Sequence, residues 1–324
     1  MKAVVCKEFG PAEGLVVEDF DLPPPRPGEV RVRIAAAGVN FPDTLMVQGR
    51  YQVKPTLPFV PGAEFAGAVE AVGDAVQEFV SGSNVIGMVT HGAFSDVINV
   101  PASSLTSRPA SMDAITGAGF SMTYGTSMHA LQQRAKLRPG ETLLVLGASG
   151  GVGLAAVELG KAMGASVIAA ASSDEKLAVA QRAGADHLVN YSTASLKDTV
   201  KALTGGKGVD VVYDPVGGDL LEEAVRATAW EGRVLVVGFA SGTIPRVPAN
   251  LLLLKCASLV GVFYGAFRER DRDTDRANFD QMFEWFEQGK LKPLVSRTLP
   301  LENVVEAFDV LTSRSAIGKI ILTT

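Results

Sequence analysis

The sequence predicts an α/β protein of two domains, an all-β domain followed by a doubly wound parallel sheet. Three observations predict this class. Residues 1–100 contain short alternating runs such as VRVRIAA (residues 30–36), separated by turn-forming Pro and Gly, which is a β-barrel pattern. From about residue 120, short apolar strands alternate with amphipathic helices. A glycine-rich turn at residues 147–153 joins a strand to a helix within this second part.

Each element of the second part follows from its hydrophobic period. The predicted strands are 142–146, 166–171, 186–190, 209–214, 232–238 and 257–263, and the predicted helices are 151–163, 174–183, 195–204 and 219–229. The remaining predicted elements are a helix at Phe279–Gln288, a strand at Leu294–Leu299, a helix at Glu302–Thr312 and a strand at Lys319–Leu322. The pattern of these elements indicates that the chain returns to the first domain after the parallel sheet. We therefore assign residues 1–122 and 266–324 to the β-rich domain and residues 123–265 to the parallel-sheet domain.

The charged run at residues 267–280 is interpreted as a solvated connector. Its Asp271, Asp273 and Asp275 are spaced as in a calcium loop. Arg276 and Met282 then stand where such a loop needs Gly and Glu, so calcium binding is rejected.

The bulk properties exclude several classes of function. The chain has 324 residues, is 47% hydrophobic and 20% charged, and carries a net charge of −5, so neither nucleic acid nor an anionic membrane is an expected partner. Cys6 and Cys256 are too few for a disulfide framework or a structural zinc site. The N-terminus lacks the apolar core of a signal peptide, and no apolar run reaches about 18 residues, so we expect a cytoplasmic protein.

The segment LLVLGASGGVGLAAVELGKAMG (residues 143–164) carries the strongest functional signal. Its strand–turn–helix context is that of a dinucleotide-binding fingerprint. Gly150 would let the backbone approach a pyrophosphate, Gly153 would let helix and strand pack closely, and the helix N-terminus would supply free N–H groups. Gly147–Gly151 also fits the G-x-S-x-G nucleophile elbow of hydrolases, but the only later histidine is His187, inside an apparent strand.

The end of the second strand of this unit bears on the choice of cofactor. An unmodified ribose is usually held by Asp or Glu there, whereas this strand ends in Ser172 and Ser173, with Asp174 already in the next helix. The ammonium of Lys176 lies close by in sequence and would suit a 2′-phosphate. The local alternative is a capping box formed by Ser172 and Glu175, with Lys176 merely in the first turn. The pattern favours NADP(H) over NAD(H).

With these residues assembled, the chain resembles the zinc-free quinone oxidoreductase (zeta-crystallin-like) branch of the medium-chain dehydrogenase/reductase superfamily, nearly end to end. The motifs that carry the resemblance are Ala37–Asp43, Gly49–Tyr51, Pro61–Gly67, Gly92–Ser95, Gly147–Gly153, Ala183–Asp186, Tyr213–Gly217 and Ser313–Arg314. The resemblance implies a GroES-like β-barrel catalytic domain, interrupted by a Rossmann domain. It also implies NADPH as the cofactor and a cleft that holds the active site.

The resemblance implies a role for each matched position. Asn40 and Thr126 are the implied catalytic residues beside the nicotinamide. Both are also implied to bind the cofactor. The other implied cofactor-binding residues are Gly150, Gly151 and Val152 at the pyrophosphate, Ser172, Lys176, Tyr191 and Arg314 at the 2′-phosphate, and Phe239 and Phe263 as walls of the cleft. Four of these residues also have a purely structural interpretation. Asn40 could form only a turn, Thr126 could be a hydroxyl at the start of a helix, Tyr191 could be a packing residue, and Arg314 could be a cation at the end of a helix.

Two departures from relatives shape the predicted chemistry. Zinc-dependent relatives have a cysteine where this chain has Asn40 and a histidine where it has Ala63, so hydride transfer is expected to need no metal. Such chemistry suits quinones and α,β-unsaturated carbonyls. Related enoyl-thioester reductases use a tyrosine proton donor where this chain has Leu45 or Met46, which weakens that alternative.

The leading hypothesis is therefore NADPH-dependent reduction of quinones or activated enones. A reductase of short enoyl-CoA thioesters such as acrylyl-CoA is the second hypothesis, with Arg50 and Lys54 as candidate contacts for the CoA phosphates. A structural or regulatory NADPH-binding protein with little turnover is the third. Residues 251–265 combine an apolar run with a final strand, which predicts an exposed sheet edge and a homodimer. The alternative is that this run packs under its own tail helices.

Overall fold

The structure is a computed structural model that describes residues 1–19 and 21–324. The strands are β1 (Lys2–Val5), β2 (Val16–Asp19), β3 (Glu29–Val39), β4 (Glu64–Val72), β5 (Asn84–Met88), β6 (Val97–Pro101), β7 (Leu105–Ser107), β8 (Thr142–Leu146), β9 (Ser166–Ala171), β10 (His187–Asn190), β11 (Val209–Asp214), β12 (Thr228–Val236), β13 (Ser258–Gly261), β14 (Val295–Pro300) and β15 (Lys319–Thr323). The helices are α1 (Phe41–Val47), α2 (Ala114–Ala118), α3 (Ser121–Met128), α4 (Gly151–Ala162), α5 (Asp174–Arg182), α6 (Leu196–Leu203), α7 (Asp219–Ala227), α8 (Ala249–Leu253), α9 (Tyr264–Arg270), α10 (Arg272–Glu287) and α11 (Val304–Thr312). A π-helical segment, His129–Arg134, follows α3.

The chain divides into two compact units. The first comprises Met1–Met122 and Leu294–Thr324, and the second comprises Thr123–Pro293. Residues 266–293 therefore belong to the second unit, whereas the sequence analysis assigned them to the β-rich domain. The reason is that α10 is anchored within the second unit, where the side-chain amides of Gln133 and Asn278 exchange two hydrogen bonds of 2.9 and 3.2 Å.

The first unit is a mainly antiparallel β structure around an apolar core, in which only the β14–β15 pair is parallel among the described residues. Its larger sheet has the order β14–β15–β3–β4–β5–β7, with β6 also paired to β3, while β1 and β2 form a separate two-stranded sheet. Along β3, Val30, Val32 and Ile34 are buried, and the intervening arginines are not. This alternation is the period of two that predicted the strand. Helix α11 covers part of this core, where the Phe308 ring lies 6.2 Å from that of Phe94.

The second unit is a six-stranded parallel sheet with helices between its strands. Its order, β10–β9–β8–β11–β12–β13, is the 3-2-1-4-5-6 order of doubly wound dinucleotide-binding folds. Leu143–Leu146 of the central strand are fully buried, as expected for a strand covered on both faces. The order reverses between β8 and β11, and ligands of such sheets bind at the carboxyl ends of the strands at this point. The predicted fold class is confirmed.

The charged run at residues 267–280 is helical rather than a solvated connector. Asp271 caps α10 by accepting a hydrogen bond from the Thr274 N–H at 3.2 Å. The buried residues of α10 recur every three or four positions, as on one face of a helix. They are Asp275, Asn278, Phe279 and Met282. Apolar residues supply only part of this buried stripe, which explains why the sequence pattern predicted the helix only from Phe279 onward and missed its first half.

Among the described residues, no helix combines the length and the apolar character that spanning a bilayer requires.

Candidate functional site

The glycine turn after β8 presents unpaired backbone N–H groups. Gly147 has φ +57°, in the left-handed region that favours glycine, and Gly150 is the N-cap of α4 and caps it with no side chain. The first-turn N–H groups of Gly151, Val152 and Gly153 have no acceptor within the helix. A turn of this kind at the positive end of a helix dipole fits the pyrophosphate of a dinucleotide.

The nucleophile-elbow alternative is not supported by the positions of its residues. Ser149 is buried in the turn after β8. His187 is exposed on β10, which β9 separates from β8. Two strand spacings amount to roughly 10 Å, so His187 is no base for Ser149.

The end of β9 gathers three of the residues predicted to meet a 2′-phosphate. Lys176 Nζ donates a hydrogen bond to Ser172 Oγ at 3.3 Å. The Tyr191 N–H donates to the carbonyl of Ala171, the last residue of β9, at 3.2 Å, and the ring of Tyr191 packs partly on the core. The structure thus brings Ser172, Lys176 and Tyr191 together, and the packing alternative for Tyr191 describes part of what its ring does.

The same region shows which residues cap the next helix. Ser173, rather than Ser172, is the N-cap of α5 and accepts a hydrogen bond from the Lys176 N–H at 3.4 Å. The Ser172–Glu175 capping box is therefore wrong. The carboxylate of Asp174 accepts a hydrogen bond from Asn190 Nδ2 at 2.8 Å. The Ser172 hydroxyl therefore does not cap α5 and instead accepts the hydrogen bond from Lys176 Nζ.

The remaining predicted residues are distributed over both units. Thr126 is half-buried within α3, so the helix-start alternative is wrong. Phe239 packs against Gly217, where a β-carbon would lie 2.9 Å from the Phe239 ring, beyond the carboxyl ends of β11 and β12. Phe263, just after β13, is 62% exposed. Arg314 lies in the first unit, exposed in the turn after α11 with φ +58°.

Asn40 lies at the centre of a buried polar cluster in the first unit. It is the N-cap of α1, and its N–H donates to Asp43 Oδ2 at 2.8 Å. Its side-chain Nδ2 donates to Glu64 Oε1 at 2.9 Å and to the Gly38 carbonyl at 3.2 Å. Its Oδ1 accepts a hydrogen bond from Lys319 Nζ at 2.8 Å. Asn40 is only 7% exposed, so it does more than form a turn.

The cluster contains a buried ion pair and a second carboxyl group. Lys319 Nζ lies 2.6 Å from Glu64 Oε1, and both side chains are buried. Asp43 is also buried, and its Oδ1 has no hydrogen-bond partner among the described residues. Burial, with a smaller contribution from the Glu64 charge, raises the pKa of Asp43 to about 7, and this value already includes the lowering effects of the Asn40 N–H and the Lys319 charge.

Sequence reasoning missed Asp43, Glu64 and Lys319 as members of this site. The sequence nevertheless contains a signal for each of them. Glu64 opens the apolar strand EFAGAVEAV and Lys319 opens the apolar strand KIILT, so each places a charge at the end of a segment that is otherwise buried. Asp43 is only three residues after Asn40, which is the spacing of a helix cap.

No metal-binding cluster is present in the described part of the chain, residue 20 being outside it. Nowhere in this part do three or more His, Cys, Asp or Glu side chains come together in a group that could hold a metal ion. At the two positions where zinc-dependent relatives have ligands, this chain has an amide that is held by Lys319 and Glu64, and the methyl group of Ala63.

The 3-2-1-4-5-6 sheet, its uncapped glycine turn and the appended antiparallel unit together define a two-domain dinucleotide-dependent oxidoreductase. Residues 26–110 match the family model described as the alcohol dehydrogenase GroES-like domain, and residues 151–288 match that of the zinc-binding dehydrogenases. The chain belongs to the quinone oxidoreductase family of the medium-chain dehydrogenase/reductase superfamily.

Three known proteins illustrate this membership. Quinone oxidoreductase-like protein 2 of Bos taurus is 40% identical over 322 residues, which are 99% of this chain and 92% of the bovine protein. The structure of Escherichia coli quinone oxidoreductase complexed with NADPH is 29% identical, covers 100% of both chains and has a TM-score of 0.93. The structure of a 2-haloacrylate reductase is 31% identical, covers 100% of this chain and 99% of the other, and has a TM-score of 0.87.

Proposed function

We propose that this oxidoreductase uses NADPH to reduce quinones or activated α,β-unsaturated carbonyls, without a metal. The observation that carries the proposal is the end of β9, where a serine and a lysine in mutual contact replace the acidic residue of NAD-dependent folds. The related Escherichia coli enzyme is described as complexed with NADPH, which supports the same cofactor here.

The residues at the carboxyl edge of the parallel sheet fit this cofactor. The unpaired N–H groups of Gly151 and Val152 would bind the pyrophosphate, and the absence of a β-carbon at Gly150 lets it approach. Ser172, Lys176 and Tyr191 would bind the 2′-phosphate, joined in our proposal by Arg314. Phe239 and Phe263 would wall the nicotinamide, with Thr126 beside it. When bound, NADPH supplies the hydride.

The protein itself then contributes binding, orientation and the exclusion of water. An activated carbonyl or quinone accepts a hydride readily, so positioning supplies most of the rate acceleration. The proton that completes the reduction comes from solvent, in our proposal. Two positions support metal independence. The amide of Asn40 is already hydrogen-bonded to Lys319 and Glu64, and Ala63 offers neither a thiolate nor an imidazole as a zinc ligand.

A panel of acceptors tests the proposed function. NADPH oxidation is followed with a series of quinones, enals and enoyl-CoA thioesters, and kcat/KM is compared across the series. Quinones or enones should give the highest values. A preference for enoyl-CoA thioesters would favour the second hypothesis. Binding of NADPH without oxidation by any acceptor would favour a structural or regulatory protein. The similarity to a 2-haloacrylate reductase supports including short activated acrylates in the panel.

We also propose that the protein is a homodimer joined through β13. This strand is the edge of the parallel sheet, with no neighbour beyond it among the described residues. Leu253, Leu254, Leu259 and Phe263 around it are exposed, although Tyr264 at the end of the run is buried and donates a hydrogen bond to Asp275 of α10 at 3.0 Å, so the tail helices cover only part of this run. An apolar open edge of this kind pairs with another edge. The cytoplasmic location remains a prediction from the sequence, and cell fractionation would check it.

A further inference from the structure

The carboxylate of Asp174 lies close in sequence to the residues proposed for the 2′-phosphate and carries the wrong charge for that ligand. Asp174 is the first residue of α5, two positions after Ser172 and two before Lys176. An acid near the end of this strand suits NAD(H), because it accepts a hydrogen bond from the 2′-hydroxyl of an unmodified ribose. The same carboxylate repels a 2′-phosphate, since both groups are negative.

Asn190 holds this carboxylate. Asn190 is the last residue of β10 and pairs with Ala171, the last residue of β9. Its side-chain Nδ2 donates a hydrogen bond to Asp174 Oδ1 at 2.8 Å, so the bond joins the end of β10 to the start of α5. Asp174 is exposed, and without this bond its side chain is free to change rotamer. Asn190 therefore restricts where the Asp174 charge can be.

The orientation of the Asn190 amide is itself fixed by the backbone. Its Oδ1 accepts a hydrogen bond from the Ser192 N–H at 3.1 Å. A backbone N–H only donates, so Oδ1 has to face Ser192 and the NH₂ group has to face Asp174. Ser192 is anchored in turn, because its Oγ donates to the Ser172 carbonyl at 2.9 Å. Asn190 thus presents two donor hydrogens to the acid and no acceptor.

We propose that Asn190 is a positioning residue that sets the preference for NADPH over NADH by engaging the Asp174 carboxylate, so that this acid neither repels a 2′-phosphate nor binds a 2′-hydroxyl. The inference rests on the proposed function, because it takes Ser172 and Lys176 as contacts of the 2′-phosphate. All of these residues lie in the second unit.

A purely structural role of the same hydrogen bond predicts a different result. If the bond only ties the end of β10 to α5, Asp174→Ala breaks the tie as completely as Asn190→Ala does. If Asn190 acts on the acid, removing the acid makes Asn190 dispensable for cofactor choice. The two single variants and the double variant therefore separate the two roles.

The test measures the Kd of NADPH and of NADH by calorimetry, without an acceptor, for wild type and these three variants. Asn190→Ala should lower the ratio of the NADH Kd to the NADPH Kd about fivefold or more, as expected when a like charge is released beside the phosphate. Asp174→Ala should keep the wild-type ratio or raise it. The double variant should have the ratio of Asp174→Ala.

Two results would overturn the proposal. One is an Asn190→Ala protein that melts at a lower temperature but keeps the wild-type ratio, which would make Asn190 a structural residue only. The other is an equal fall of the ratio in Asn190→Ala and in Asp174→Ala, which would make the hydrogen bond a simple tie.

Asn303→Ala is the matched control. Asn303 Nδ2 donates to Glu306 Oε2 at 3.2 Å, an amide–carboxylate bond of the same kind in the first unit, and its side chain makes no capping bond to α11. Both Kd values should stay unchanged in this variant. The binding readout also separates the two proposals. The expected shift in a protein that reduces no acceptor would support the inference and refute the function, whereas a wild type that binds no NADPH would refute both.

Discussion

Gly153 packs so closely on Gly147 that a β-carbon on Gly153 would collide with the Gly147 carbonyl oxygen and lie 2.9 Å from Ala148 Cα. Both obstacles are backbone atoms, which do not move aside as the end of a flexible side chain does. Gly150, in the same turn, has room for a β-carbon, because the nearest atom to it, the Gly147 carbonyl oxygen, would lie 3.5 Å away in ordinary van der Waals contact. Packing therefore requires glycine at position 153 but not at position 150, where the proposed approach of the cofactor would be the reason for glycine.

Alanine at each of these glycines should separate the two purposes. Gly153→Ala should lower the free energy of unfolding by about 1–3 kcal/mol, because the added methyl group overpacks the helix on the turn. Gly150→Ala should change it by less than about 1 kcal/mol but weaken NADPH binding tenfold or more, on the order of 1.4 kcal/mol. Urea unfolding and calorimetry provide the two readouts. A Gly150→Ala protein that binds NADPH normally would show that the pyrophosphate lies elsewhere.

Lys176 should distinguish the two nicotinamide cofactors. Lys176→Ala should weaken NADPH binding by about 1–3 kcal/mol, as expected for a lost hydrogen bond to a charged group, and leave NADH binding nearly unchanged. Lys197→Ala is the control, because Lys197 lies on α6 in an exposed ion pair with Asp198. Equal weakening of both cofactors by Lys176→Ala would contradict the 2′-phosphate assignment.

Asp43 should make the stability of the protein depend on pH. Its folded-state pKa of about 7 lies above the ordinary value of 3.8, so the folded state holds the proton more tightly than the unfolded chain does. The resulting stabilisation is complete below about pH 4 and is lost as the pH rises through 7, a change of at most about 4 kcal/mol.

The variant Asp43→Asn removes this titration. Its stability relative to wild type should therefore increase from about pH 5 to about pH 8. Urea unfolding at several pH values measures the difference, and Asp280→Asn, an exposed change on α10, is the control. A constant difference between Asp43→Asn and wild type across this range would mean that Asp43 is ionised throughout.

The edge strand β13 offers a matched pair of leucines for testing the dimer. Leu259 on β13 is 42% exposed and Leu203 at the end of α6 is 40% exposed. Leu259→Glu should yield monomers at micromolar concentration by light scattering, since charges on an edge strand oppose pairing. Leu203→Glu should leave the dimer intact. A wild-type mass near that of one chain would overturn the dimer itself.

Metal independence is checked on the wild-type protein. Elemental analysis should find no stoichiometric zinc, and activity should survive treatment with EDTA, because the ligand positions hold Asn40 and Ala63. Activity that disappears with the chelator and returns with zinc would refute the proposal.

The parallel sheet was the most predictable part of the fold. Its central strands are buried on both faces and form short continuous apolar runs, whereas the helices between them are amphipathic, so the two kinds of element can be told apart along the sequence. Helices α2 and α3 and the π-helical segment were not predicted, because buried Gly, Ala and Ser residues there give no polar–apolar period. The first half of α10 was missed because Asp275 and Asn278 are polar although they are buried, so the sequence pattern places them at the surface.

The candidate site also has a part that the sequence predicts and a part that it does not. The glycine turn and the end of β9 are local in sequence, so their residue types predicted them. The partners of Asn40 were not predictable by the same means, because Glu64 and Lys319 come from β4 and β15 and meet Asn40 only through the pairing of both strands with β3. Nothing in the local sequence around Asn40 shows that its amide hydrogens are already used.

The pairing of Glu64 with Lys319 across 255 positions also constrains how the protein is made. During synthesis β3 and β4 leave the ribosome early, but the lysine that neutralises Glu64 and the strand that covers one edge of β3 arrive only after the whole second unit has been translated. The continuous second unit can therefore fold before the first, which reverses the usual N-to-C order of domain folding. Until β15 docks, the nascent first unit exposes an open edge of β3, with unpaired backbone groups of the kind that pair with other chains.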